Sequence, residues 1–255
     1  MTLLEELKIF IRSILHWIYF WAGFSFLFFV FGLKEVTIFG KSYFLPLPTP
    51  DSFSVQVFNK IRHDLLPSGV QLLVTNPMSA FVSQISLSIL LGFLSTIPLF
   101  LYKIILYVEP ALLPHERKAV LWSLLPLVFL FFSGCLFSYL FLIPATFDVL
   151  YPYAVSINAA PFFSIDEFIY YVFGLMIAIG LMFLLPLFMI LLSVLGIIGA
   201  DFWKRKWRFA FLLFLILSAI ITPDGTGITM IMLFLPLIAL YFAGYVFANR
   251  LSKSV

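Results

Sequence analysis

The chain has 255 residues, 63% of them hydrophobic and 11% charged, with a formal net charge of +3. Soluble domains are about 45–50% apolar and about 25% charged, so this excess points to lipid, not water, as the solvent. The small net charge gives a nucleic-acid partner no support, and the single cysteine, Cys135, excludes an intramolecular disulfide and a cysteine-based metal site.

The chain starts MTLLEELKIFIRSIL, with Glu5 and Glu6 ahead of the apolar stretch and no small-residue cleavage site. It therefore reads as a retained segment and not a signal peptide. A membrane helix needs about 20 mostly apolar residues. The first such segment is Phe10–Gly32, interrupted only by Arg12 and His16 near its start. The loop after it, residues 33–80, is too long for a simple connector. Within it Ser52–Leu66 reads as an amphipathic helix, because Val57, Ile61 and Leu65 recur every fourth position. Asp51 or Ser52 is its expected cap.

The second segment is Phe81–Tyr107, where Lys103 sits near one end with a stem long enough to snorkel. The third, Ala119–Ile143, contains Pro126, and the fourth, Phe168–Ile198, contains Pro186. Both prolines predict kinks. Cys135 lies in the third segment and reads as a small buried hydrophobe. The fifth apolar run, Phe209–Ile221, is short and must thin the bilayer, snorkel its flanks or pack on longer helices. A TPDG turn joins it to the sixth, Ile228–Ala248, as a tight hairpin. No internal repeat is visible. The sequence thus predicts an all-α polytopic membrane protein, one integral membrane domain over residues 1–255 with six transmembrane helices.

Lys and Arg set the orientation. With the N-terminus inside, the inner segments hold Lys8, Arg12, Arg117, Lys118, Lys204, Arg205, Lys206, Arg208, Arg250 and Lys253. The outside keeps Lys34, Lys41, Lys60 and Arg62, and its second loop has Asp148, Asp166 and Glu167 without a cation. Both termini are expected in the cytoplasm.

No metalloprotease, hydrolase or phosphate-loop motif is present, so no enzyme is indicated and no cofactor is implied. His16, His63 and His115 fall at different levels and suit interfacial positions better than a metal site. The segments are nearly free of charge, which weakens the alternative of a secondary transporter for a small solute. More telling are the acidic residues on the positive side: Glu5, Glu6, Glu109 and Glu116. They are either solvated charges beside Arg117 and Lys118 or a receptor for a basic peptide, since carboxylates pair bidentately with guanidinium.

Five stretches, in order, resemble the TatC component of the twin-arginine protein translocase. LLEELKIFI is similar to the family's N-terminal motif, with Glu6 at its Glu and Lys8 in place of its Arg. LPSGVQLLVTNPMSAF matches at Pro67, Gly69, Pro77 and Phe81. IPLFLYKIILYVEPALLPHERK matches at Pro98, Pro110, Leu112, Glu116 and Arg117, with Lys103 and Tyr107 replacing a Gln and a Phe. FFSGCLFSYLFLIP matches at Gly134, Phe137, Tyr139 and Pro144, and IITPDGTGIT at Thr222, Pro223 and Asp224, in a spacing that looks archaeal.

The resemblance implies a curved, glove-like bundle with the fifth and sixth helices short, placed in the cell membrane. It implies a receptor that binds twin-arginine signal peptides of folded precursors at its cytoplasmic face. Glu6 and Glu116 would hold the arginine pair, and Lys8, Lys103, Tyr107, Pro110 and Arg117 would shape the surface. Pro67, Pro77, Pro98, Pro144, Pro186, Thr222, Pro223 and Asp224 would serve structure or partner contacts. Implied partners are single-span proteins of the TatA/TatB type and further copies of the chain, with transport driven by the proton-motive force. Two departures stand out: Leu184, ahead of Pro186, and Phe242 occupy positions where many members carry Glu.

Overall fold

The computed structural model describes residues 3–38, 41–66, 71–74, 76–108, 117, 120–156, 162–222 and 227–251. For 3–10, 35–38, 41–44, 71, 77, 108, 154–155, 162–163 and 251 the description covers the backbone alone. The chain forms two compact units, Met1–Lys103 with Ala160–Phe173, and Ile104–Ala159 with Gly174–Val255.

In the first unit, α1 (Leu3–Val30) is an uninterrupted helix with no proline, charged residues in its first turns and apolar and aromatic residues beyond His16. The chain then folds into an antiparallel hairpin, β1 (Phe31–Ile38) and β2 (Lys41–Pro48), in register from Phe31 opposite Pro48 to Ile38 opposite Lys41. The sequence reading did not foresee this hairpin. With two strands, both are edges, so Pro46 and Pro48 are tolerated.

The predicted amphipathic helix is present as α2 (Phe53–Leu65), with Ile61 and Leu65 buried and Lys60 and Arg62 exposed. Ser52 takes the cap position, but its hydroxyl does not cap. It bonds the hydroxyl of Ser54 at 2.8 Å and accepts from Gln84 Nε2 at 2.9 Å instead. Short β3 (Gln71–Leu73) pairs in parallel with β4 (Phe162–Ser164). Helix α3 (Pro77–Val108) runs through Pro98 without interruption.

In the second unit the third segment is longer than expected. Residues 120–122 are helical, followed by α4 (Leu124–Phe137), a π-helical stretch (Ser138–Leu142) and α5 (Ile143–Ser156). The fourth segment begins earlier than expected, as α6 (Ile165–Phe183), and continues as α7 (Leu185–Val194). The helices are interrupted two or three residues ahead of Pro126 and Pro186, the positions of the expected kinks. Ser123 N–H donates to Val120 O at 3.2 Å before Pro126, and Leu184 N–H to Leu181 O at 3.2 Å before Pro186. Proline lacks the N–H that would close the next turn, so the helix tightens to i−3 bonding there. The chain continues as α8 (Ala200–Ile221) and α9 (Ile228–Leu251).

Among the described residues, five stretches are long and apolar enough to cross a bilayer: Ile11–Val30, Met78–Tyr107, Val120–Tyr153, Ile165–Val194 and Ile228–Arg250. The remaining expected span, α8, is a helix of 22 residues whose first half is strongly cationic. This is why only its second half, Phe209–Ile221, reads as apolar. Hydroxyls in these helices bond back to carbonyls one turn earlier: Thr96 to Gly92 at 2.9 Å, Ser88 to Gln84 at 2.8 Å, Thr146 to Leu142 at 2.8 Å. These hydroxyls are thereby satisfied without water.

Candidate functional site

The N-terminal helix is held by aromatic side chains. Trp17 Nε1 donates to Thr96 O at 3.3 Å, and Trp21 Nε1 donates to Ile89 O at 2.9 Å. The two indoles stack at 5.4 Å between centroids, with Phe93 edge-on to both and Phe100 tilted against Trp17. One turn further along α1, Ser25 lies against Gly92, where a Cβ would meet the Ser25 backbone nitrogen at 2.9 Å. Phe29, late in α1, packs edge-on against Phe81, early in α3, whereas Trp17, earlier in α1, meets Thr96 and Phe100, so the helices are antiparallel. Lys103 lies two turns beyond Thr96 on α3, and Glu6 and Lys8 lie in the first turns of α1, ahead of Trp17.

Lys103 is half-buried, and Tyr107, four residues on along α3, is exposed. Arg117 is helical and exposed. The side chains of Glu6 and Lys8 are outside the description, as are residues Glu116, Pro110, Pro67, Pro223 and Asp224 altogether. Pro77 opens α3, its side chain likewise outside, and Pro98 lies within that helix. Pro144 is the second residue of α5. Pro186, second in α7, is buried beside α9, where a Cβ on Gly244 would come within 2.8 Å of its Cα. Thr222 closes α8, buried, with its hydroxyl on Ser218 O at 2.8 Å. Leu184, at the family's acidic position, is buried at the break between α6 and α7, whereas Phe242 is exposed. Cys135 is buried, and its thiol faces Met176 O at 3.3 Å.

Sequence reasoning missed a polar network at the other end of the first unit. Ser83 donates to Ser79 O at 2.7 Å and also to the Asp166 carboxylate. Ser86 and Tyr170 share a hydrogen bond of 2.9 Å, and Gln56 Nε2 reaches Leu33 O at 2.9 Å. A cavity of about 250 Å³ lies within it, lined by Val55, Phe58, Ala80, Leu87, Ile165 and Ile169 beside Ser83 and Gln84. The spacing of Ser79, Ser83 and Ser86 at i, i+4 and i+7 is the signal that marks this face. His16 Nδ1 lies 2.6 Å from Arg12 O, and His63 pairs with its neighbour Asp64 at 3.5 Å.

These features define a multi-pass α-helical membrane protein whose N-terminal helix is locked antiparallel to α3 by two indole hydrogen bonds. The family profile "Sec-independent protein translocase protein (TatC)" matches residues 3–236. A Sec-independent translocase protein TatC of Cenarchaeum symbiosum is 34% identical over 86% of this chain and 84% of its own. The TatC of Aquifex aeolicus is 29% identical over 74% of this chain and 79% of its own. A crystal structure described as the twin arginine translocase receptor TatC superposes with a TM-score of 0.74 at 25% identity, covering 97% of this chain and 99% of that one. The chain therefore belongs to the TatC family, a subunit of the twin-arginine translocase and not an enzyme.

Proposed function

We propose that the chain is the receptor subunit that binds twin-arginine signal peptides at its cytoplasmic face. The observation that supports this reading is the antiparallel contact of α1 with α3, Trp17 on Thr96 O and Phe29 against Phe81, from which the Glu6-bearing turns are expected toward the Lys103 end of α3. That end also carries the motif most similar to the family. In this reading Glu6 and Glu116 each receive one guanidinium of the arginine pair. Arginine is preferred because its planar fork matches a carboxylate in two parallel hydrogen bonds, which a lysine ammonium does not. Lys8 and Lys103, and Arg117 beside Glu116, act as counter-charges that the incoming arginines displace. Tyr107 and Pro110 shape the adjacent surface.

The receptor lies in the cell membrane with both termini cytoplasmic, as the distribution of Lys and Arg requires. It assembles with TatA/TatB-type single-span proteins and with further copies of itself, and transport draws on the proton-motive force. Where many members have a carboxylate, Leu184 offers no polar contact, so partner docking here uses other groups.

A photo-crosslinker in place of Tyr107 tests the reading. It is expected to capture a twin-arginine signal peptide, with excess unlabelled peptide abolishing capture. Capture no greater than from a crosslinker at exposed Tyr153 would contradict it.

A further inference from the structure

Helix α8 combines three features: a short apolar run, a dense group of cations and a fixed position. Its last thirteen residues, Phe209–Ile221, contain no charged side chain. They rise only about 20 Å, against about 30 Å of bilayer hydrocarbon. Directly before them stand Phe202, Trp203, Lys204, Arg205, Lys206, Trp207 and Arg208. All four cations are exposed, and none forms an ion pair among the described residues. Lys206 Nζ lies 4.9 Å from the Phe209 ring centroid, and Arg208 Cζ lies 5.7 Å from that of Trp207. Asp201 is the one carboxylate on the helix.

Trp203 pins this cationic turn. Its Nε1 donates to Ser193 Oγ of α7 at 2.9 Å, and its carbonyl accepts from the hydroxyl of Tyr241 on α9 at 2.7 Å. At about 100° per residue, Lys204, Arg205 and Arg208 span an arc of about 100° on the side away from Trp203. A short span relieves its mismatch by thinning the bilayer, by snorkelling its flanking residues or by packing on longer helices. The two bonds through Trp203 fix the cationic turn against α7 and α9, so the headgroups meet the cations where that turn is held. Thinning draws headgroup phosphates in to the level of the cations, and the indoles suit that same interfacial depth.

We propose that Lys204, Arg205 and Arg208, on the turn that Trp203 anchors, form a binding site for the phosphate headgroup of an anionic phospholipid. A zwitterionic headgroup carries its own ammonium and gains less from three clustered cations. The site belongs to the leaflet at the N-terminal end of α8, and it stands whether or not the chain is the signal-peptide receptor.

Native mass spectrometry of the full chain, released from detergent with equimolar dioleoyl phosphatidylglycerol and dioleoyl phosphatidylcholine, tests this. The expected result is retention of phosphatidylglycerol over phosphatidylcholine. That preference falls about fivefold for each cation neutralised in Lys204→Gln, Arg205→Gln and Arg208→Gln. The pair Lys60→Gln and Arg62→Gln on α2 leaves it unchanged. If the triple variant loses helicity, Arg205→Gln alone carries the test, since Arg205 points away from the anchored face. An unchanged preference in folded variants would overturn the proposal. So would displacement of the lipid by an equal concentration of glycerol phosphate, which would mark a site for soluble anions. Tighter binding of a polyglutamate peptide than of the lipid would overturn it too, pointing to an acidic protein partner.

Discussion

Among the described residues, two helix crossings, α1 with α3 in the first unit and α4 with α6 in the second, are built in contrasting ways. In the first, α1 meets α3 chiefly through bulk, two stacked indoles, two phenylalanines and two indole-to-carbonyl hydrogen bonds, beside one close approach of Ser25 to Gly92. In the second, α4 meets α6 through absence of bulk. A Cβ on Gly134 would fall 2.9 Å from the Gly180 Cα and 2.8 Å from Phe183 Cγ. A Cβ on Gly180 would fall 2.8 Å from Phe131 and 2.9 Å from the Cys135 sulfur. Between lipid-embedded helices no hydrophobic force favours contact over lipid, so packing and hydrogen bonds must hold them. The aromatic crossing gains both from large side chains, and the glycine crossing gains packing from close backbones. The first should therefore be broken by removing atoms and the second by adding them.

Trp17→Ala carries the largest expected effect. It empties a buried site and orphans a carbonyl contact, and should cost about 3–5 kcal/mol of unfolding stability in detergent. Gly134→Ala tests the opposite sensitivity. The added methyl has no room and should cost about 1–3 kcal/mol by the same measurement, although it is a single carbon. Replacing Trp21 by its benzothiophene analogue keeps the bicyclic ring and deletes only the N–H, so it should cost about 0.6 kcal/mol. If it matched Trp17→Ala, hydrogen bonds and not bulk would hold the first crossing.

Ser138→Ala, in the π-helical stretch, should have the smallest effect, within about 1 kcal/mol and on the stabilising side. The hydroxyl is buried with no partner among the described residues, so its removal relieves a desolvated group. Clear destabilisation by Ser138→Ala would mean that this hydroxyl has a partner in the membrane-embedded protein.

Much of this fold was legible in the sequence because lipid is a demanding solvent. Long apolar runs located five of the spans, and period-four spacing found α2. The cationic turn of α8 hid half of that helix from an apolarity criterion, although Gly199 ahead of it and Thr222 after it bracket the whole helix. The prolines marked where helices would be disturbed, and the interruptions lie at Ser123 and Leu184, two or three positions before them. The hairpin went unread because Lys34, Glu35, Pro46 and Pro48 make residues 31–48 look like loop. Register pairing across a two-residue connection is a tertiary fact that a one-dimensional pattern does not carry. For the site, the motif residues were legible only through family resemblance. Charge alone left Glu6 and Glu116 indistinguishable from solvated carboxylates, whereas the antiparallel lock of α1 on α3 required the indole geometry.

The most direct test of the central claim is the affinity of the purified protein, in nanodiscs, for a twin-arginine signal peptide and for its twin-lysine counterpart. Both peptides are measured on the wild type, Glu6→Ala and Glu116→Ala. The account predicts a preference for arginine of about tenfold or more in the wild type, consistent with charge-assisted hydrogen bonds worth about 1.5–3 kcal/mol each. Either substitution should erase it. Equal, weak, salt-sensitive binding of both peptides to all three proteins would contradict the account and remove Glu6 and Glu116 from the site.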